Sequence, residues 1–180
     1  MSVILIERFG CFGGNITSVG VEGFAWYRHE KTIEAGGLAF EYEQRAIESN
    51  AAVPESQSKS YELDSEGFKV VADNLVLKAG VRPMLHRAFC APILDGDEIK
   101  GVITESKAGR EAIIGKIIID ATGDADVARR SGVKVFKNKK EDMISASVMF
   151  HMSGVNKEEF MNEICLLYTS PRPRDPIGSR

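Results

Sequence analysis

A chain of 180 residues with 43% hydrophobic and 27% charged residues is long enough for one domain with a core of its own. Its net charge of −3 offers no basic surface for nucleic acid or an anionic membrane. No apolar run approaches the roughly 20 residues of a bilayer span, and the start lacks the basic-then-apolar layout of a signal peptide.

Taken in chain order, residues 2–7 (Ser-Val-Ile-Leu-Ile-Glu) are a short apolar run that stops on an acid, and read as a strand. Arg8 to Asn15 follow, with Gly13 and Gly14 side by side, a pair that lets a chain pass close to a bulky ligand. Residues 20–37 are rich in glycine and aromatics and contain Trp26, Tyr27 and His29. Leu38, Phe40, Tyr42, Ala46 and Ile47 predict a helix over 38–50, and the Ser, Gln and Pro of 51–61 predict a loop. Asp64 or Ser65 then caps a second helix that carries Phe68, Val71, Ala72, Leu75 and Val76 on one face. Gly80, just past Lys78, ends it, and residues 81–85 form a strand.

The pattern changes between 87 and 119. Runs at 89–94, 99–105 and 111–114, separated by Asp95-Gly96-Asp97 and by Lys107-Ala108-Gly109-Arg110, predict a three-stranded antiparallel meander. Lys116 to Asp120 is an isoleucine-rich run bounded by turn residues, the pattern of a parallel strand buried on both faces. Ala121-Thr122-Gly123 turns the chain, and a helical segment follows over 124–130. Residues 145–152 predict a strand and 156–164 a short helix, the start of a substrate-facing domain after a first domain ending at 144. From Cys165 to Arg180 the character shifts abruptly, with three prolines within 171–176. That tail resembles translated sequencing-adapter DNA; the alternative is a native, disordered Pro/Arg-rich tail.

Two of these junctions carry chemistry. Open α/β sheets bind nucleotides at the carboxyl ends of parallel strands, where a glycine admits the ligand and outward amides meet phosphate. Thr122-Gly123-Asp124 occupies such an end, and Glu7 stands where a carboxylate accepts hydrogen bonds from an adenosine ribose. Alternatively, Glu7 is a solvated strand end and Gly13-Gly14 an ordinary turn. The glycine fingerprint of a dinucleotide site belongs about twenty positions before its acid. Glu7 has only six residues before it, so the expectation is a chain lacking the first strand, its glycine loop and its helix.

Glu7-Arg8-Phe9-Gly10-Cys11-Phe12-Gly13-Gly14-Asn15, then Gly80-Val81-Arg82-Pro83-Met84-Leu85-His86, then Ile119 to Ala128 with its Asp-Ala-Thr-Gly-Asp element, occur in an order that resembles FAD-dependent oxidoreductases. The likeness is to those with a glutathione-reductase-like FAD domain, and it covers roughly residues 2–155. It implies an α/β fold: an incomplete Rossmann-like FAD-binding domain with a parallel sheet crossed by a three-stranded β-meander. It also implies FAD as cofactor and hydride or electron transfer through the flavin. By that resemblance Glu7 binds the ribose, while Arg8, Gly13, Gly14 and Asn15 line the adenine-to-pyrophosphate side. Thr122, Gly123 and Asp124 close over the FAD, and Phe89 meets the adenine through its backbone. Two alternatives are carried: another nucleotide-binding Rossmann enzyme, such as an NAD(P)-dependent dehydrogenase or a methyltransferase, and a non-binding fragment.

No side chain stands out as catalytic. His29 and His86 are of the residue type suited to acid/base work, yet a structural hydrogen bond suits His86 better, and His29 lies in an aromatic loop able to face a flavin. Cys11 lacks the second cysteine of a redox pair and reads as a small packed residue. Asp124 and Asp126 lack a third ligand for a metal and read as helix caps. Cys11, Cys90 and Cys165 are too few and too scattered for a disulfide framework or zinc site, which fits a reducing cytosol. The expectation is a cytoplasmic enzyme with a small-molecule substrate and no metal, its oligomeric state open.

Overall fold

The computed structural model describes residues 2–24, 36–54, 60–156 and 158–163, with the backbone alone at 28–29 and 32–33. The chain divides into two units, Met1–Ser147 and Val148–Arg180.

In the first unit, strand β1 (Ile4–Ile6) pairs in parallel with a strand near residue 83, and a single turn of helix, α1 (Asn15–Ser18), follows. Arg28–His29 (β2) and Thr32–Ile33 (β3) form a small antiparallel pair. Trp26 and Tyr27 lie outside the described residues. Helix α2 (Leu38–Glu48) forms within the predicted 38–50 span.

The span read as a loop, 51–61, is corrected by the structure. Ala52–Pro54 (β4) and Tyr61–Leu63 (β5) pair as antiparallel arms. Loop-like composition is concentrated toward the tip, whereas Ala51 and Leu63 are buried at the arms' inner ends and draw them together. Glu22 extends this pairing through its carbonyl, which accepts from the Leu63 amide at 3.1 Å.

Helix α3 (Ser65–Lys78) starts where a cap was expected, with the Asp64 carboxylate accepting from the Glu66 amide at 3.0 Å. Phe68, Val71 and Ala72 are buried along its inner face, as the helical spacing requires. At its end Gly80 takes φ +67°, and the amides of Gly80 and Val81 turn back to the carbonyls of Leu77 and Val76.

The core of this part is Ala46, Ala51, Leu63, Phe68 and Val71, flanked by Ile16, Phe24, Tyr42, Ala52 and Leu75. Phe68 stacks on Tyr42 at 5.5 Å between ring centres and meets Phe24 edge-on at 5.8 Å. α3 approaches the α2–β4 corner so closely that a Cβ on Gly67 would stand 2.8 Å from that of Ala51.

Strand β6 (Arg82–Met84) lies beside β1 in the register Ile4–Arg82, Leu5–Pro83, Ile6–Met84. The expected meander then forms as β7 (Ala88–Asp95), β8 (Glu98–Ser106) and β9 (Gly109–Ile114). Gly96 supplies the positive φ that its tight turn needs. Val102 and Thr104 on the central strand are buried.

The predicted strand at 116–120 does not form. The Gly115 amide still donates to Lys100, but no strand among the described residues pairs with the next five, and Ile117 and Ile119 are 75% and 82% exposed. Isoleucine favours extended backbone, but a strand also needs a neighbour's amides and carbonyls, and β9 has already ended. Helix α4 (Asp126–Arg130) follows the turn.

The strand predicted for 145–152 is likewise absent. Its apolar side chains face solvent, with Val148 86% and Phe150 73% exposed, and it has no ladder partner among the described residues. In the second unit residues 158–163 are helical, and the Asn156 side chain accepts from the Glu158 amide at 3.1 Å.

Candidate functional site

Glu7 stands immediately past the carboxyl end of β1, where a parallel strand pair leaves its last carbonyls and amides facing out. Its amide donates to the Met84 carbonyl at 3.0 Å, and its own carbonyl accepts from Arg87 at 2.9 Å. The carboxylate bends over the next turn, with Oε1 accepting from the Phe9 amide at 2.9 Å. Arg8 is exposed, and its guanidinium lies 4.5 Å from the Phe9 ring centre.

Gly13 and Gly14 have φ of +111° and +58°, both in the region that side chains avoid. A Cβ on Gly13 would lie 2.5 Å from Cγ2 of Thr17, so this position must be glycine. Thr17 is buried and pins the loop from inside, its hydroxyl donating to the Phe12 carbonyl at 2.6 Å. At Gly14 the outward side is open: no heavy atom lies within 4 Å of where its Cβ would be. Asn15 is exposed next to it.

The second corner is organised by Asp120, which sequence reasoning passed over. Its Oδ1 accepts from the Thr122 amide at 2.9 Å and from the Thr122 hydroxyl at 2.7 Å. Its Oδ2 accepts from the Ala128 amide at 2.8 Å. The Thr122 hydroxyl in turn accepts from the Asp126 amide at 2.7 Å. Burial pushes the Asp120 carboxyl up, but the hydrogen bonds from Ala128, Thr122 and Val127 outweigh it and hold the group below its ordinary value.

The expected capping by Asp124 and Asp126 is therefore corrected. Ala125, in a left-handed conformation, precedes the helix, and the acceptors that reach its amides are Thr122 and Asp120. Asp126 is the first helical residue, so its charge favours the helix start, but its side chain caps no amide there. Gly123 and Asp124 are exposed, and their amides donate to no protein acceptor among the described residues. No heavy atom beyond its chain neighbours lies within 4 Å of where a Cβ on Gly123 would stand.

Residues 86–90 tie the two corners to one strand. The His86 amide donates to Phe9 and the Arg87 amide to Glu7, while the Arg130 guanidinium at the end of α4 donates to the Cys90 carbonyl. Arg130 also lies 5.7 Å from the Phe89 ring centre, and Phe89 is half-buried early in β7. Arg87 reaches across the meander to an ion pair with Glu111. No sequence signal announced Arg130 or Arg87, whose partners lie tens of residues away.

His86 has φ +54°, and its imidazole occupies the space a Cβ on Gly10 would need, 2.7 Å from it, which is a packing role. Cys11 is half-buried with its sulfur 3.8 Å from the Ser18 hydroxyl. His29 is described only by its backbone in β2. An open cleft of about 480 Å³ lined by β1, β6 and β9 contains none of the candidate residues.

Glycines at Gly14 and Gly123 that open onto space, a carboxylate at a parallel strand end, and unpartnered amides at Gly123 and Asp124 fit a bulky, oxygen-rich nucleotide. No curated protein matches the chain. A family model described as FAD dependent oxidoreductase matches residues 1–178, nearly the whole sequence. The chain belongs to the FAD dependent oxidoreductase family, whose cofactor is FAD.

Proposed function

We propose that residues 2–130 supply the adenosine-side grip on FAD in an oxidoreductase that passes hydride or electrons between the flavin and a small-molecule substrate. Glu7 accepts from the ribose hydroxyls. Arg8, Gly13, Gly14 and Asn15 line the adenine-to-pyrophosphate side, Phe89 meets the adenine through its backbone, and Thr122, Gly123 and Asp124 close over the cofactor. When bound, the isoalloxazine supplies the redox chemistry, and these residues hold the adenosine and pyrophosphate half of the cofactor. The chain's three scattered cysteines suit a reducing cytosol as the place of work.

One observation carries this reading: Glu7, half-buried at the end of a parallel strand, is followed within seven residues by a glycine loop whose outer side is open. A fixed acceptor facing an accessible backbone is what ribose followed by diphosphate demands.

The test is a titration of FAD into the full chain, followed by flavin fluorescence and by absorbance near about 450 nm. Losing a charged acceptor in Glu7→Ala should weaken binding by about 1.5–3 kcal/mol, roughly 10- to 150-fold. Glu7→Gln keeps an oxygen for the Phe9 amide and so separates loss of the turn from loss of the ribose contact. Equal FAD affinity in wild type and Glu7→Ala would remove Glu7 from the site.

A further inference from the structure

The Thr122 side chain has one proton to give. It gives it to Asp120 at 2.7 Å, and its oxygen accepts from the Asp126 amide at 2.7 Å. A ligand oxygen arriving at this corner therefore meets no hydroxyl donor from Thr122. What faces outward instead is the backbone of Gly123 and Asp124, exposed and without protein acceptors among the described residues. The group that fixes this arrangement is the half-buried Asp120 carboxylate, which bridges the residue two positions ahead and the residue eight positions ahead.

We propose that Asp120 is the positioning residue of the second corner, and that Thr122 serves as its relay and not as a donor to the ligand. The carboxylate clamps Thr122 against the first turn of α4, so that the Gly123–Asp124 backbone is held ready before any cofactor arrives. Ala125 in its left-handed conformation is the strained point that this clamp has to hold. The lowered pKa of Asp120 agrees with a carboxylate that stays ionised while accepting these bonds. The ligand half of the inference rests on the FAD reading above; the clamp itself does not.

The experiment compares the full chain with Asp120→Ala, Thr122→Val and Thr122→Ser by two independent readouts, FAD affinity and site-resolved amide hydrogen exchange. Exchange at Thr122, Asp126 and Ala128 should accelerate by about tenfold or more in Asp120→Ala, with the amide of Phe68 in the core unchanged. FAD affinity should fall about tenfold in Asp120→Ala and in Thr122→Val, and Thr122→Ser, which restores the relay hydroxyl, should recover it to within roughly threefold. Unchanged exchange at those three amides overturns the clamp. Faster exchange with undiminished FAD affinity overturns the positioning role. A wild-type chain that takes up no FAD counts against the cofactor reading alone, and the exchange data still decide the clamp.

Discussion

Replacing Phe68 should cost this fold more than any other single truncation of its helical core. The side chain is 2% exposed and sits among Ala46, Ala51, Leu63 and Val71. Its ring stacks on Tyr42 with 29° between planes and meets Phe24 at 71°. Deleting a buried phenylalanine to alanine costs about 3–5 kcal/mol through lost transfer energy and the cavity left behind. Each aromatic pair contributes about 0.5–1.5 kcal/mol beyond area. Phe68→Leu keeps most of the volume and loses the ring pairs, so about 1–2 kcal/mol is expected there. A domain holds only about 5–15 kcal/mol in total, so the alanine variant sits at the edge of unfolding. Urea unfolding followed by far-ultraviolet circular dichroism measures both. A loss below about 1 kcal/mol for Phe68→Ala would refute the packing, and equal losses for Leu and Ala would show that filling the cavity is not what matters.

Two further predictions follow from single groups. Asp64→Ala removes the acceptor for the Glu66 amide at the start of α3 and should lower stability by about 1 kcal/mol, with Asp64→Ser recovering most of it in the same urea assay. The pH profile should be shaped from two directions. The Asp120 carboxyl is lowered on folding, so its contribution is present above its unfolded value near about 4 and is lost as pH falls through the folded value. Glu43 is fully buried on α2 and its carboxyl is raised by that burial, so its contribution is present below the unfolded value and is lost as pH rises through the folded one. Glu43→Gln should therefore gain on wild type as pH climbs above about 4.5, and parallel pH profiles for the two proteins would contradict this.

What the sequence discloses depends on the range of the interaction concerned. The cap at Asp64, the buried stripe of α3, the stop at Gly80 and both turns of the meander rest on contacts within a few positions, and all were readable from spacing and residue type. The family resemblance lay in short contiguous motifs, and the match across residues 1–178 bears it out. Errors arose where a partner decided the outcome. The isoleucines at 117–119 carry strand preference, but among the described residues no neighbour pairs with them. Ala52–Pro54 and Tyr61–Leu63 became strands because buried neighbours brought two polar-looking arms together. Asp120 was legible in principle, since an acid two residues before a threonine at a turn is a familiar side-chain-to-backbone bond. Its reach to Ala128 was not, because that bond exists only once the intervening turn has folded back.

The short run from His86 to Cys90 holds the Glu7 corner at one end and α4 at the other. A single nucleotide gripping both corners would join Glu7 to Thr122 without a covalent bond, closing most of the chain into a removable loop. Such a staple makes escape from the native state depend on ligand release, so saturation with cofactor should slow proteolysis of every segment between the two corners together.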